Sequence, residues 1–387
     1  MSRTRIDPDV LSAALQAAVV LLLTLARSDP PRTASIAFIG VGCCAYLMLS
    51  AATLRYPERA AELRGILTVT GTLAAAGFVL RLGPDPAGAL REWTLFTVGA
   101  GVLFLSTGWP AGFRWTTGGQ WVAAGLTLAA AVALVPARGL DGTRAGALLA
   151  YSAPVPVLAL ALTALAAGAA RLSPARFSLT AQAWVVSLPP LAVYAYTRDP
   201  GALPLVGLPL FAVLVAAHLT GLGGGWLRLL AVSTSSVLCV VAGVAGLIAF
   251  HPGGAFRLTG PASARDLLGA APGTTGSVAG GPAVVLLLAL SAVLSVQVAL
   301  LFAAVVRRPE RDRDEVLPFV AGVTVLLLVL LAGPGAAGAG LPVPASLAVL
   351  PIASDGASYL ITLAGVGLLF GVAADRRRET PSGQGRR

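Results

Sequence analysis

Lysine is absent from this 387-residue chain, and all 27 basic side chains are arginine. With the accompanying bias to alanine, glycine and valine, that absence points to a GC-rich coding sequence more than to a mechanism. Charge of either sign is scarce, at 11% of positions against 56% hydrophobic. The scarcity excludes an ordinary soluble fold of this size, which would interleave apolar residues with charge at the period of a helix or strand. Here nearly every charged residue lies between apolar runs of about 20 residues, the length that crosses a bilayer core. Cysteine is limited to Cys43, Cys44 and Cys239, all within apolar runs. They read as small buried hydrophobes and not as a disulfide framework or metal site. The two histidines, His218 and His251, have no carboxylate or thiol at ligand spacing, so no metal site is expected on them. The formal charge of +10 does not read as a nucleic-acid footprint, because the arginines are scattered over short loops and form no single stripe. "GLGGGW" at 221–226 lacks the Lys-Ser/Thr of a phosphate loop and reads as a tight inner turn, and no Ser-His-Asp set stands out.

What remains is an all-α polytopic membrane protein with about 12 transmembrane helices. The apolar runs place them at 10–26, 34–54, 65–82, 94–109, 120–135, 146–169, 180–196, 203–219, 226–250, 281–306, 317–331 and 345–373. The first run ends in "LARSDPPR" without a small-residue cleavage site, so it reads as a retained helix and not a signal peptide. Alternating the loops puts eighteen arginines on one side, including Arg55, Arg114, Arg228, Arg307 and Arg376, and nine on the other. The positive-inside rule then expects both termini in the cytoplasm, in a cytoplasmic membrane. The longest outer loop, 250–281, is too rich in glycine and polar residues to be a helix in lipid, so it lies on the outer surface or folds back into a cavity. "RRPERDRDE" at 307–315 reads as a solvated turn whose charges partly pair, and the tail 375–387 reads as disordered.

An ionisable group inside a membrane costs about 2.5 to 3.5 kcal/mol on insertion scales, so each one is a candidate for function. Asp199, Asp266 and Asp355 fall at the outer ends of spans, where each is equally suited to capping a helix start or pairing with an arginine. Asp355 stands in "LPIASDGASYL" at 350–360, where Ser354, Asp355, Gly356 and Ser358 cluster as the last apolar segment begins.

That last segment carries a resemblance. Leu341-Pro342-Val343, Leu350-Pro351, Ser354, Gly356, Ser358 and the "GVGLL" run fall, without a gap, on the C-terminal pattern of the SEDS (shape, elongation, division and sporulation) family, the FtsW-, RodA- and SpoVE-type proteins. "TRDPGALPL" is similar to the family's "PDLGTA" segment, with Asp199 and Gly201 in place. "GTRAGALLAYSAPVPVLA" is similar to its "GARRWI" and "QPSE" segments, keeping Gly142 and Arg144 but carrying Pro156 at the Glu position and Ala159 at the Lys position. In the outer loop, "GPASARDLLGAAPGTTGSVAGG" matches through Pro261, Asp266, Gly273 and Gly280, while Thr274 and Thr275 replace the family's paired Glu.

The resemblance implies two N-terminal transmembrane helices over 1–64, a ten-helix core over 65–374 and a cytoplasmic tail over 375–387. It also implies peptidoglycan assembly, with glycan polymerised from an undecaprenyl-linked disaccharide-pentapeptide precursor beside a class B penicillin-binding protein. Asp266 takes the catalytic position, as base or metal ligand, and a divalent cation (Mg2+ or Mn2+) or arginines would stabilise the departing pyrophosphate. Arg144, Arg257 and Arg265 are the outer-face cations left to bind phosphate. Asp199, Ser354, Asp355 and Ser358 are the further residues expected at the substrate. Loss of the Glu and Lys positions keeps open a non-catalytic relative that scaffolds a transpeptidase, and the sparsely charged spans keep open a precursor flippase or other transporter.

Overall fold

The computed structural model describes residues 54, 56–82, 98–107, 202–221, 258–259, 281–308, 310–339, 343–344 and 356–374. Six helices stand among them. A 3-10 turn, Pro57–Arg59, leads into α1, Ala60–Leu82. Then come α2, Val98–Thr107, α3, Ala202–Leu219, α4, Gly281–Val306, α5, Glu310–Gly338, and α6, Gly356–Ala374. Two short strands, β1 at Leu258–Thr259 and β2 at Val343–Pro344, form one antiparallel pair. The spans expected at 10–26, 34–54, 120–135, 146–169, 180–196 and 226–250 lie outside the described residues, apart from Leu54.

α4 and α5 are each long and apolar enough to cross a bilayer. At a rise of 1.5 Å per residue, their 26 and 29 residues reach about 39 and 43 Å, beyond the roughly 30 Å of a hydrocarbon core. α4 has the bounds that its apolar run predicts. α5 does not: the expected span 317–331 is extended by seven residues, nearly two turns, at each end. The charged stretch 310–315 is therefore helix and not loop, and the described part of the turn is Arg307 and Arg308. Charge ends the hydrophobic signal where lipid ends, whereas backbone hydrogen bonding continues into water. Pro318 and Pro334 lie inside the helix, the carbonyls they leave free being a cost the neighbouring helices must absorb.

α5 is the centre of the described bundle, packing on α3, α4 and α6, while α4 also touches α1 and α6. Its core residues Phe319, Val320, Val323, Leu326 and Leu327 are almost fully buried. α4 is amphipathic in a different sense. Leu287, Leu294, Val298, Leu301 and Val305 face the bundle, whereas Val285, Val293, Val296 and Leu300 recur at helical spacing on an outer face, Leu300 being 63% exposed. In water a face of this composition would aggregate; against acyl chains it costs nothing.

Polar side chains inside the bundle mostly satisfy themselves. The hydroxyls of Thr68, Thr70 and Thr72 donate to the carbonyls of Arg64, Ile66 and Thr68, and Ser295 donates to that of Ser291, at 2.6–2.9 Å. These bonds back to the preceding turn are how hydroxyls enter lipid cheaply. Ser291 instead crosses to α5, donating to the Leu331 carbonyl at 3.1 Å.

Close helix contact comes from glycine. A Cβ on Gly367 would collide with the Ser106 hydroxyl and the Leu103 carbonyl of α2, and one on Gly371 with the Thr107 carbonyl. Gly367 and Gly371 are four apart, the small-xxx-small spacing that lets helix backbones touch. α3 ends on Gly221, whose φ of 78° is left-handed and whose N–H donates to the His218 carbonyl, so the "GLGGGW" turn begins as expected.

Candidate functional site

Asp266, Arg265, Arg257, Arg144, Asp199, Ser354 and Asp355 lie outside the described residues, as do Thr274 and Thr275. Ser358 falls in the first turn of α6, two residues after the helix begins at Gly356. The described chain does fix how two of the stretches that carry these residues meet. Leu258 pairs with Pro344 and Thr259 with Val343. Leu258–Thr259, in the stretch 250–281 expected as the outer loop and ahead of Asp266, are thus joined to Val343–Pro344, between α5 and α6 and ahead of Ser354.

Antiparallel pairing also sets directions. The chain leaving Thr259 toward Arg265 and Asp266 departs at the end where Val343 arrives from α5. The chain leaving Pro344 toward Ser354 departs at the end where Leu258 is entered. β2 itself contacts α5. A pair this short is held by few hydrogen bonds, each worth about 0.5–1.5 kcal/mol net, and Pro344 brings no N–H donor.

The opposite end of the bundle is built from side chains that the sequence did not single out. Arg308, in the turn between α4 and α5, donates from Nη2 to the carbonyls of Val372 and Ala373 at 2.6 and 2.7 Å. These are among the last carbonyls of α6, which no intrahelical N–H can reach, and a guanidinium there also meets the negative end of the helix dipole. Nearby, the Tyr56 hydroxyl donates to the Thr107 carbonyl at 3.0 Å, and its ring meets Phe370 edge-on with centroids 5.4 Å apart. The same Thr107 carbonyl lies under Gly371. The start of α1, the end of α2 and the end of α6 are thereby tied at one level. Arg313 and Asp314 pair at 3.1 Å, in keeping with the partial charge pairing expected for this stretch, but Arg308 is a helix cap and not a solvated charge.

Among the described residues, two buried side-chain polar atoms have no partner: Gln297 Oε1 on α4 and Thr324 Oγ1 on α5. The Ser291–Leu331 bond sets the register of the α4–α5 hairpin and puts these two residues at similar depth. The Gln297 amide nitrogen approaches Gly65 of α1, 3.3 Å from where a Cβ would stand. Among the described residues, no grouping of three or more His, Cys, Asp and Glu stands together, and Asp266, the residue that the resemblance implies as a cation ligand, lies outside them.

No protein-family model and no curated protein matches the chain. A solved structure described as "Structural coordination of polymerization and crosslinking by a peptidoglycan synthase complex" is similar, with a TM-score of 0.49 and 22% identity over 81% of this chain and 98% of that chain. A likeness at this level assigns neither family nor activity, and the chain's own residues have to carry its function.

Proposed function

We propose that the chain is a multi-pass protein of the cytoplasmic membrane that assembles peptidoglycan, polymerising glycan from an undecaprenyl-linked disaccharide-pentapeptide. One observation carries the reading. The gap-free matches at 261–280 and 341–358 come from separate parts of the sequence, and the β1–β2 pair joins the chain just ahead of the first to the chain within the second. Unrelated apolar segments that align by chance have no reason to adjoin.

In this reading Asp266 accepts the proton of the attacking sugar hydroxyl or ligates a cation, and Arg144, Arg257 and Arg265 hold the pyrophosphate as it departs. Asp199, Ser354, Asp355 and Ser358 line the approach of the substrate. A class B penicillin-binding protein is the partner that would cross-link the product. The second reading, a non-catalytic scaffold for that partner, is favoured by Thr274, Thr275, Pro156 and Ala159. Each stands where a charged group would otherwise be, and one lost preorganised contact typically costs about 10² to 10³ in rate.

Purified protein given lipid-linked precursor and Mg2+ or Mn2+ should form glycan chains, and Asp266→Asn should abolish them without changing expression or thermal stability. Wild-type protein that stays inactive with its transpeptidase present, yet captures it, establishes the scaffold. Equal activity in both proteins removes Asp266 from the chemistry.

A further inference from the structure

We propose that the end of α5 remote from Arg308, residues 332–338, is a hinged segment that turns about Leu331, and that the Ser291 hydroxyl of α4 is the brace that holds it. The hinge lies wholly within α4 and α5 and stands whether or not the chain polymerises glycan.

Pro334 supplies the hinge. It has no N–H for the Leu330 carbonyl four residues earlier, and its ring crowds that carbonyl, which opens the turn. The residues around it are weak helix formers as well, since 332–338 reads "AGPGAAG", three glycines and the proline in seven positions. Packing changes at the same place. Leu326, Leu327, Leu330 and Leu331 are buried, whereas beyond Leu331 the buried apolar side chain among the described residues of α5 is the single methyl of Ala337. An added Cβ at Gly335 would meet nothing within 4 Å, so the segment has room beside it.

Ser291 supplies the brace. The hydroxyls of Thr68, Thr70, Thr72 and Ser295 all donate to the preceding turn of their own helix. Ser291 instead donates across to the Leu331 carbonyl, one residue from the carbonyl that Pro334 leaves free. A hydroxyl from a neighbouring helix at that place is what lets an interrupted helix persist in lipid. Pro318 needs no such partner: the carbonyl it frees is that of Asp314, whose side chain is 38% exposed near the charged start of the helix, within reach of water. The other end of the bundle is tied by Arg308, Tyr56 and Gly371. Bending is therefore confined to the half beyond Leu331.

Double electron–electron resonance on the full-length protein tests the hinge, with Cys43, Cys44 and Cys239 replaced by alanine and spin labels carried on Val285→Cys and Ala339→Cys, both at exposed positions. The N–H of Ala339 donates to the Gly335 carbonyl, so the label there follows the end of α5. A turn of about 20° at Leu331, the least that counts as a sharp kink, carries Ala339, about 12 Å further along the helix, by about 4 Å. Ser291→Ala should therefore broaden the distance between these labels and shift it by up to about 4 Å. Labels on Val296→Cys and Val325→Cys, on the Arg308 side of Ser291, should keep their original distance and show that the bundle is folded. Pro334→Ala added to Ser291→Ala should restore the first distance, because alanine removes the ring and gives the Leu330 carbonyl its N–H. An unchanged first distance in Ser291→Ala, an equal change at both label pairs, or a change that Pro334→Ala does not reverse each overturns the hinge.

Discussion

Gly371 and Gly207 are both helical glycines, yet they should respond oppositely to alanine. At Gly371 a methyl group would enter the space of a backbone carbonyl, that of Thr107, which cannot swing aside as a side chain can. Gly371→Ala should cost about 1–3 kcal/mol by overpacking. At Gly207 nothing lies within 4 Å of the added carbon, so Gly207→Ala should be neutral or stabilise by up to about 1 kcal/mol through helix propensity. Thermal unfolding of the detergent-solubilised protein reads both, and a destabilised Gly207→Ala beside an unaffected Gly371→Ala would contradict the packing. Thr324 offers a second comparison. Its buried hydroxyl has no partner, so Thr324→Val should be neutral or stabilising by about 1 kcal/mol, whereas Ser291→Ala removes a bond between helices worth about 0.6 kcal/mol.

Among the described helices, α6 is held in four ways: glycine against α2, Leu327 of α5 packed on Gly365, Phe370 against Tyr56, and Arg308 across its final carbonyls. Arg308→Ala should lower stability by about 1.5–3 kcal/mol, the range for hydrogen bonds to a charged group. Arg308→Lys should recover part of it, because an ammonium supplies the charge and donors but not the planar reach. An Arg308→Ala protein that melts like wild type would show the cap to be dispensable. The sequence disclosed little of this arrangement. The bounds of α4 were legible because charge and glycine flank an unbroken apolar run, and those of α5 were not because its charged first turns resemble a loop. The glycine spacing at Gly367 and Gly371 was visible, but not which helix it would meet. Arg308 sits among several arginines in one loop, and nothing in that pattern separates the one that caps from those that face solvent. In the candidate site, Asp266 and Asp355 stood out as ionisable residues at span ends and Ser354 in a polar cluster, with the resemblance giving them roles, whereas the pairing between their segments depends on two residues in each strand and has no hydrophobic period to betray it.

For the protein as a membrane-embedded unit, the arginine asymmetry makes a prediction about sidedness. With both termini cytoplasmic, a cysteine at Thr274 in a cysteine-free background should react with an impermeant maleimide added to intact cells, and one at Ser382 should react only after the cells are opened. The reverse pattern would invert the orientation and move Asp266 to the cytoplasmic side, where the proposed polymerisation has no place. Among the described residues, Tyr56, Thr107, Arg308 and the end of α6 gather at one end of the bundle, so the labelling result fixes the side on which these ties lie.

The ties at that end also impose an order on biogenesis. Arg308 precedes its acceptor carbonyls by 64 and 65 residues, which at 5–20 residues per second is roughly 3 to 13 s of translation. Throughout that interval the α4–α5 hairpin exists without the two carbonyls it will cap, and Tyr56, made far earlier, waits for Phe370. Of the described helices, α6 is therefore the last made, and it completes the contacts at this end. A chain stopped before Val372 keeps the contacts of Gly367, Phe370 and Gly371 but leaves Arg308 without its two acceptors, whereas one stopped before Gly356 deprives α2, Tyr56 and Arg308 together.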